Sequence, residues 1–225
     1  NAWQVVPTQW VEEAMARWKP MEEIGHIPMD SMGQDVARGG KDRTTIAMRH
    51  GGWYAPLIAV PGTATPNGQT GAALAIQYRR DQVPVHVDII GVGGSVYDHL
   101  EENNIQVIGV NVSRATQERT EFGNMPLKNL RAKLYWDFRE SLDPRSDSLI
   151  ALPPDNELKA DLCAARYRIT PSGIQVETKE EIKKRIGRSP DKGDAVLLAH
   201  MITPKWDLEE YYEPSAQDRD AHTGY

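Results

Sequence analysis

Cysteine is nearly absent from this sequence of 225 residues, in which Cys163 is the single example. One cysteine excludes an internal disulfide framework and a cysteine-rich zinc site, and it fits a reducing compartment. Long apolar runs are also missing, because none approaches the roughly 20 residues that span a bilayer. There is no signal-peptide pattern either. The composition therefore predicts a soluble intracellular domain that is long enough to bury one core.

An excess of positive charge is absent as well, since the formal net charge is −6. That value alone argues against a general affinity for nucleic acid. The residues from Pro204 to Tyr225 carry −4 of it, so the other 203 residues carry only −2 and a polyanionic substrate stays permitted. Two basic clusters occur, which on charge alone are best interpreted as solvated surface: Arg38, Lys41, Arg43 and Arg49, then Lys179, Lys183, Lys184, Arg185, Arg188 and Lys192.

Apolar periodicity and turn signals predict a fold of the α/β class. Helices are expected at 10–18, 72–80, 95–102, 127–142, 157–166 and 179–186, with a last helix opening at Ser189-Pro190 as N-cap and first residue. Strands are expected at 28–35, 44–50, 53–60, 83–90 and 105–110, with a hairpin of 167–170 and 174–177. The strand–helix–strand unit at 83–110 predicts a parallel pair. The whole predicts a mixed sheet with flanking helices.

Four aspartates in three separated segments are the candidate functional residues: Asp35 in GQDVARGGKDRTT, Asp88 in VHVDIIGVGG, and Asp191 with Asp194 in SPDKGDAVLLAH. The first two end predicted strands, and the last two share one face of a helix start. Buried carboxylates are costly unless they are paired or metal-bound, and oxygen-only ligand sets suit Mg²⁺ or Mn²⁺. If the strands of Asp35 and Asp88 are neighbours, the four acids converge into one metal site.

Three of the four acids also have an ordinary structural explanation. Asp35 precedes a glycine-rich turn, Asp88 could cap a nearby loop, and Asp191 suits the positive end of a helix. Asp194 directly precedes the apolar run AVLLA, where capping does not explain an acid. The metal interpretation therefore depends on the four residues together.

Other common sites are disfavoured by the sequence. The run Gly91–Gly94 lacks the remaining glycine and the distal acid of a dinucleotide fingerprint, and no Walker A motif occurs. We interpret these glycines as leaving room beside Asp88. The histidines form no H-x-x-x-H pair, which disfavours catalytic zinc.

Taken in order, GQDVARGGKDRT, VDIIGVGGSVYDHL and SPDKGDAVLLA resemble the nuclease domain of the large terminase subunit of tailed bacteriophages. The lead-in VPTQWVEEAMARW resembles the segment that joins the ATPase domain to the nuclease in that family. The run NMPLKNLRAKLYWDFRESL resembles the family's helix between the second and third acidic segments. The resemblance covers roughly residues 3 to 203, and its ordered trio of motifs is more specific than any one motif.

The resemblance implies an RNase H-like fold that cleaves double-stranded DNA with two divalent cations, Mg²⁺ or Mn²⁺, about 4 Å apart. Asp35 matches the bridging acid, Asp88 the ligand of one cation, and Asp194 with Asp191 the ligands of the other. Asp191 matches a position that is His or Asp in related nucleases. Arg38, Lys41, Arg43 and Lys192 are candidate DNA contacts.

The resemblance also implies an organisation and a set of partners. Residues 1–20 are expected to be a linker helix from a missing ATPase domain, 21–203 the nuclease domain, and 204–225 an acidic flexible tail. The chain begins without a methionine, which we interpret as a piece of a longer protein. The implied partners are double-stranded DNA, the ATPase domain of the same full-length chain, the portal protein and the small terminase subunit, with no membrane. The implied location is the cytoplasm of the host cell.

Two other functions stay open at this stage. One is a non-catalytic module that grips DNA or docks within a packaging motor. The other is a fragment of an actin-like phosphotransferase, because DVARGGKDRTT loosely resembles a phosphate loop of that class. The latter fold needs a duplicated second half, for which 225 residues leave little room.

Overall fold

A central sheet of mixed strand direction organises the chain, and the computed structural model describes residues 2–37, 39 and 41–201 of it. Its strand order is β4-β3-β2-β6-β7, with β5 paired to β3, and a second sheet has the order β1-β8-β9. The strands are β1 (Trp3–Gln4), β2 (Ser31–Asp35), β3 (Arg43–His50), β4 (Trp53–Tyr54), β5 (Ile58–Pro61), β6 (Val85–Asp88), β7 (Val107–Val110), β8 (Arg166–Thr170) and β9 (Gly173–Val176). The helices are α1 (Thr8–Arg17), α2 (Met21–Ile24), α3 (Gly68–Tyr78), α4 (Gly93–Glu102), α5 (Leu130–Leu142), α6 (Asn156–Ala164), α7 (Lys179–Ile186) and α8 (Asp191–His200).

The strands of Asp35 and Asp88 are neighbours, as the convergence of the acids required. β2 pairs antiparallel with β3 and parallel with β6, in the register Met32↔Val85 and Gln34↔Val87. β6 pairs parallel with β7 across the connection that contains α4. Because β2 and β6 run parallel, their carboxyl ends, and with them both aspartates, lie at the same edge of the sheet. The predicted α/β mixed sheet is confirmed.

Helices cover the sheet on two sides. α8 packs across β2 and β3, next to α5 and α6, in one apolar core. α3 and α4 pack together over a second core that includes Met32, Val85 and Val87. Gly33 is what lets α8 approach β2, because a Cβ at this position would lie 2.2 Å from the backbone oxygen of Ala195. The strand therefore alternates between the two cores, with its glycine against α8.

The segment before β2 also joins the first core. β1 pairs with β8, and α1 buries Val11 and Ala14 against α5 and α6. Within the described ranges, no helix is long and apolar enough to cross a membrane. The acidic segment 204–225 lies outside the described residues.

Several predicted boundaries differ from the structure by up to four residues, and two further differences have a clear physical reason. The strand expected at 53–60 is divided into β4 and β5, because Pro56 between them has no N–H to donate to a ladder. The last helix begins at Asp191, and Ser189 does not cap it. The buried carboxylate of Asp161 caps it instead, since its Oδ2 accepts the N–H groups of Lys192 at 3.0 Å and Gly193 at 3.2 Å.

Candidate metal centre

The four aspartates named from the sequence meet at the carboxyl edge of the central sheet. Asp35 is the last residue of β2, Asp88 is the last residue of β6, and Asp191 and Asp194 stand in the first turn of α8. Asp35, Asp191 and Asp194 are all buried, and Asp88 is half-buried. Three segments that are more than 50 residues apart in sequence thus supply four carboxyl groups to one place.

The ammonium of Lys179 lies in the middle of this acidic cluster. Its Nζ is 2.7 Å from Oδ2 of Asp35, 3.4 Å from Oδ1 of Asp191 and 3.5 Å from Oδ2 of Asp194. Burial acts to lower the pKa of Lys179, but the three carboxylates, Asp35 foremost, raise it above its ordinary value. The lysine is therefore a fixed positive charge that offsets the mutual repulsion of the acids.

The carboxyl groups differ in how tightly they hold a proton. Burial raises the pKa of Asp35 to about 8, with repulsion from Asp194 and Asp191 added and the attraction of Lys179 opposing it. Burial also raises the pKa of Asp88 to about 6, although its Oδ1 accepts the N–H of Ile90 at 3.0 Å. Protons therefore compete with any cation for these two carboxyl groups near neutral pH.

The pKa of Asp191 is lowered, in contrast to the raised pKa values of Asp35 and Asp88. Burial acts to raise its pKa, but Lys179 and the backbone N–H of Arg43 together lower it below the ordinary value. The Arg43 N–H donates to Oδ2 of Asp191 at 3.1 Å. The first residue of β3 thereby helps to hold Asp191 in its ionised form beside Asp35.

Arg131 is a second buried cation at the site. Its Nη1 lies 3.5 Å from Oδ1 of Asp194, on the oxygen that does not face Lys179. Its Nε donates to the backbone oxygen of Glu177 at 2.7 Å, and its guanidinium lies 5.1 Å above the ring of Tyr135. Asp194 is thus held between a lysine and an arginine.

The four carboxyl groups are chemically suited to a hard divalent cation. In this structure, however, they are not spaced so that they surround one. All four groups are carboxylates, the ligands that Mg²⁺ and Mn²⁺ prefer. In the described part of the chain, no three acidic, His or Cys side chains are placed so that they could together hold a metal ion. Lys179 supplies the positive charge that the cluster requires, so a bound cation would have to take over its contacts.

The glycines after β6 allow the tight turn that follows Asp88, whereas room beside its carboxylate stays a prediction. A Cβ on Gly93 would lie 1.8 Å from the backbone oxygen of Asp88, so only glycine fits there. Gly91 has a φ of +73°, in the left-handed region that glycine adopts without strain. The chain can therefore turn into α4 directly beneath the Asp88 carboxylate.

The candidate DNA contacts have different surroundings. Lys41 is exposed, whereas Arg43 pairs with Glu157. Lys192 pairs with Asp155 at 2.6 Å and lies 3.4 Å from Glu157. Arg38 lies outside the described residues. Of the three that are described, Lys41 has the environment best suited to a phosphate contact, and the DNA contacts stay predictions.

Lys179 and Arg131 are site residues that the sequence interpretation missed. Lys179 was grouped with a solvated basic cluster, and Arg131 was not singled out. Each has a feature in the sequence that indicates an unusual environment. Lys179 is a cation at a helix start, where a positive charge is disfavoured. Arg131 is a charged residue beside the apolar stripe of Leu130, Leu134 and Tyr135.

The fold matches that of the nuclease domains of bacteriophage large terminase subunits, an RNase H-like mixed sheet flanked by helices. No protein-family model matches the chain, and no curated protein matches it by sequence. The family resemblance drawn from the three acidic motifs and the structural likeness thus point to the same class of protein.

Two sets of solved structures carry the likeness. The nuclease domain of the large terminase subunit gp2 of bacterial virus Sf6 has a TM-score of 0.67 at 16% identity, with 89% of this chain and 99% of that chain covered. A mutant of the same domain with manganese and β-thujaplicinol has a TM-score of 0.69 at 17% identity, with the same coverage. The large terminase nuclease of thermophilic phage G20c with bound magnesium has a TM-score of 0.51 at 18% identity, with 81% and 82% covered.

Proposed function

We propose that this chain is a metal-dependent endonuclease that cleaves double-stranded viral DNA, in the manner of the terminase nucleases that its fold resembles. The observation that carries the proposal is the meeting of Asp35, Asp88, Asp191 and Asp194 at one edge of the sheet. Four buried or half-buried carboxyl groups destabilise a fold unless positive charge offsets them. Their convergence therefore indicates a functional site.

The residues present fit divalent cations by their chemistry. Asp35, Asp88, Asp194 and Asp191 would hold two of them, Mg²⁺ or Mn²⁺, which supply Lewis-acid activation of water and stabilisation of the leaving oxygen of a phosphodiester. The solved relatives carry manganese in Sf6 gp2 and magnesium in G20c. Asp35, which has Asp191 and Asp194 as close neighbours, would be the ligand shared by the two cations.

The chain's own cations have separate parts in this proposal. Lys179, whose side chain is 29% exposed, balances the acids until metal arrives and then has to yield its contacts. Arg131, whose side chain is 9% exposed, stays paired with Asp194. Asp35 and Asp88 lose their protons as cations bind, because both have raised pKa values. Metal binding should accordingly release protons near neutral pH.

The cellular setting follows from the same resemblance. The substrate would be concatemeric viral DNA during genome packaging in the host cytoplasm. The partners would be the ATPase domain of the full-length chain, the portal protein and the small terminase subunit. Lys41, which is exposed on the segment that follows Asp35, would contact a phosphate of the DNA.

Cleavage of supercoiled plasmid DNA tests the proposal. With Mn²⁺ or Mg²⁺ the chain should nick and linearise the plasmid, and EDTA should stop it. Asp35→Asn should lose activity by more than about 100-fold, above the range for residues that act only behind a metal ligand. Asp98→Asn is the matched control, because Asp98 is exposed on α4 and the substitution removes the same charge.

The other candidate functions give different results in this experiment. A non-catalytic gripping module would bind DNA in a mobility-shift assay without cutting it at any metal concentration. A phosphotransferase fragment would hydrolyse ATP, for which the terminase interpretation expects no activity in the isolated chain. Metal-independent cutting, or full activity in Asp35→Asn, would count against the proposal.

A further inference from the structure

A small cavity lies within the acidic cluster, where the ends of β2 and β6 meet α5 and α8, and Asp35 is one of its lining residues. Its volume is about 20 Å³, and Asp88, Asp194, Arg131 and Tyr135 are among the residues that line it. A cavity needs roughly 10–15 Å³ of this kind of volume, and two to four polar partners, to hold one water molecule. This cavity meets the volume requirement for one water and has five polar residues in its wall, with Asp35 as the fifth.

Two donors on this wall have no partner among the described residues. They are Nη2 of Arg131 and the hydroxyl of Tyr135, both buried. The residues themselves are 8% and 0% exposed. A buried donor without an acceptor is costly, on the order of 1–3 kcal/mol, so two of them in one cavity wall require an explanation.

Several contacts fix the guanidinium of Arg131 beside Asp194. Its Nε donates to the backbone of Glu177, its face lies over Tyr135, and its own backbone N–H donates to the oxygen of Val112 at 2.9 Å. Three segments thus fix the arginine while its Nη1 faces Asp194 at 3.5 Å. Its Nη2 is the part left over for a further contact.

Charge balance alone does not explain this arrangement. Arg131 offsets the charge of Asp194 whether or not the next residue in contact carries a hydroxyl. A phenylalanine at position 135 would fill the same space under the guanidinium without burying an unpaired group. The hydroxyl of Tyr135 therefore points to something in the cavity that accepts its hydrogen bond.

We propose that Arg131 and Tyr135 are positioning residues that hold one water molecule in this cavity. The guanidinium and the water together orient the carboxylates of Asp88 and Asp194 toward the cation site. The water has donors in Arg131 and Tyr135 and acceptors in the two acids. The orienting role rests on the proposed function, since it concerns how the acids meet a cation, whereas the water site itself does not.

Tyr135→Phe is the central test, because it removes one oxygen and keeps the ring. We expect its melting temperature in EDTA to fall, and its affinity for Mn²⁺ by calorimetry to weaken by about tenfold, the effect typical of a partner behind a metal ligand. Tyr54→Phe is the matched control. Tyr54 is also fully buried, and its hydroxyl bonds Nδ1 of His200 at 2.8 Å. It should lower the melting temperature and leave the Mn²⁺ affinity unchanged.

Arg131→Lys supplies a second variant that keeps the positive charge and loses Nη2. We expect it to weaken Mn²⁺ binding at least as much as Tyr135→Phe. The double variant should lose little more than the larger of the two single losses, because both residues act through the same water. Fully additive losses would show that they act independently and would overturn the proposal.

The remaining outcomes separate this inference from the proposed function. A Tyr135→Phe variant with an unchanged or higher melting temperature and unaltered Mn²⁺ affinity overturns the inference while the nuclease proposal stands. A wild-type chain that binds no Mn²⁺ overturns the nuclease proposal and the orienting role with it, and the melting temperatures still decide the water site. A high-resolution crystal structure should show a water within hydrogen-bond distance of the Tyr135 hydroxyl, and an empty cavity there overturns the inference.

Discussion

Lys179 occupies a position in its helix that is locally unfavourable for a positive charge. It is the first residue of α7, where the positive end of the helix dipole disfavours a cation. Thr178 and Glu181 form a capping box that satisfies this helix end without help from the lysine. The ammonium is held where it is by Asp35, Asp191 and Asp194, so these acids and the lysine stabilise one another.

Removing the Lys179 charge should therefore destabilise the metal-free protein. We expect Lys179→Met to lower the free energy of unfolding in EDTA by about 3 kcal/mol, because it leaves buried carboxylates without their cation. Mn²⁺ should restore most of the loss, so its stabilising effect should be larger in the variant than in the wild type. Chemical denaturation with and without Mn²⁺ measures both quantities.

Lys184→Met provides the comparison for this experiment. Lys184 is exposed on the same helix, and the substitution changes charge and size in the same way. Its effect should stay within about 0.5 kcal/mol. An equal response of the two variants would mean that the cluster does not depend on Lys179.

The contact of α8 with β2 is the feature of element scale on which the site depends. α8 carries Asp191 and Asp194, β2 carries Asp35, and Gly33 sets the distance between the two elements. A Cβ on Gly33 would lie 2.2 Å from the Ala195 oxygen and 2.4 Å from the Ala199 nitrogen, both of which are backbone atoms that cannot rotate away. The geometry of the site is therefore tied to the absence of one methyl group.

Gly33→Ala should force α8 away from the sheet. We expect a loss of about 3 kcal/mol in the free energy of unfolding, at the upper end for overpacking. We also expect weaker Mn²⁺ binding, because Asp191 and Asp194 move away from Asp35 together. Denaturation and calorimetry on the same preparation measure the two effects.

Gly94→Ala is the control for the added methyl group. Gly94 lies inside α4, and a Cβ there would find its nearest neighbour, the Ile89 oxygen, at an ordinary 3.4 Å. Stability should stay level or rise by up to about 1 kcal/mol, since alanine favours a helix over glycine. If Gly33→Ala were equally mild, α8 would not be held at its distance by this glycine.

At the scale of the whole molecule, the sequence predicted that the acids meet, but it did not predict which basic residues neutralise them. Local patterns placed Asp35 and Asp88 at the ends of predicted strands, whereas the adjacency of those strands was only a condition of the metal interpretation, which the parallel pairing of β2 with β6 meets. Lys179 and Arg131 could not be placed in this way. Their role depends on contacts between segments far apart in the chain, and a lysine in a basic helix looks the same whether its tip meets water or a carboxylate.

A half-buried histidine at the end of α8 links the stability of the molecule to pH. His200 accepts or donates hydrogen bonds at both ring nitrogens, Nδ1 to the Tyr54 hydroxyl at 2.8 Å and Nε2 to Oγ of Ser141 at 2.9 Å. Burial, with the nearby charge of Arg49, lowers its pKa to about 3. The folded protein therefore keeps His200 neutral at pH 5, whereas the unfolded chain takes up a proton with a pKa near 6.5.

The sign of the effect follows from this difference. Because the folded pKa is depressed, the contribution of His200 to stability is present above about pH 6.5 and is lost as the pH falls. Between pH 7 and pH 5 the loss is about 2 kcal/mol. Buried acids with raised pKa values, such as Asp88, act in the opposite direction, so the total pH dependence of the wild type does not isolate the histidine.

His200→Gln isolates it, because glutamine can still make hydrogen bonds but does not titrate. The variant should be less stable than the wild type at pH 7, and the gap between the two free energies of unfolding should shrink by about 2 kcal/mol at pH 5. Urea denaturation of both proteins at the two pH values gives the four free energies needed. A gap that stays constant with pH would mean that His200 titrates in the folded protein as it does in the unfolded chain, which contradicts a lowered pKa.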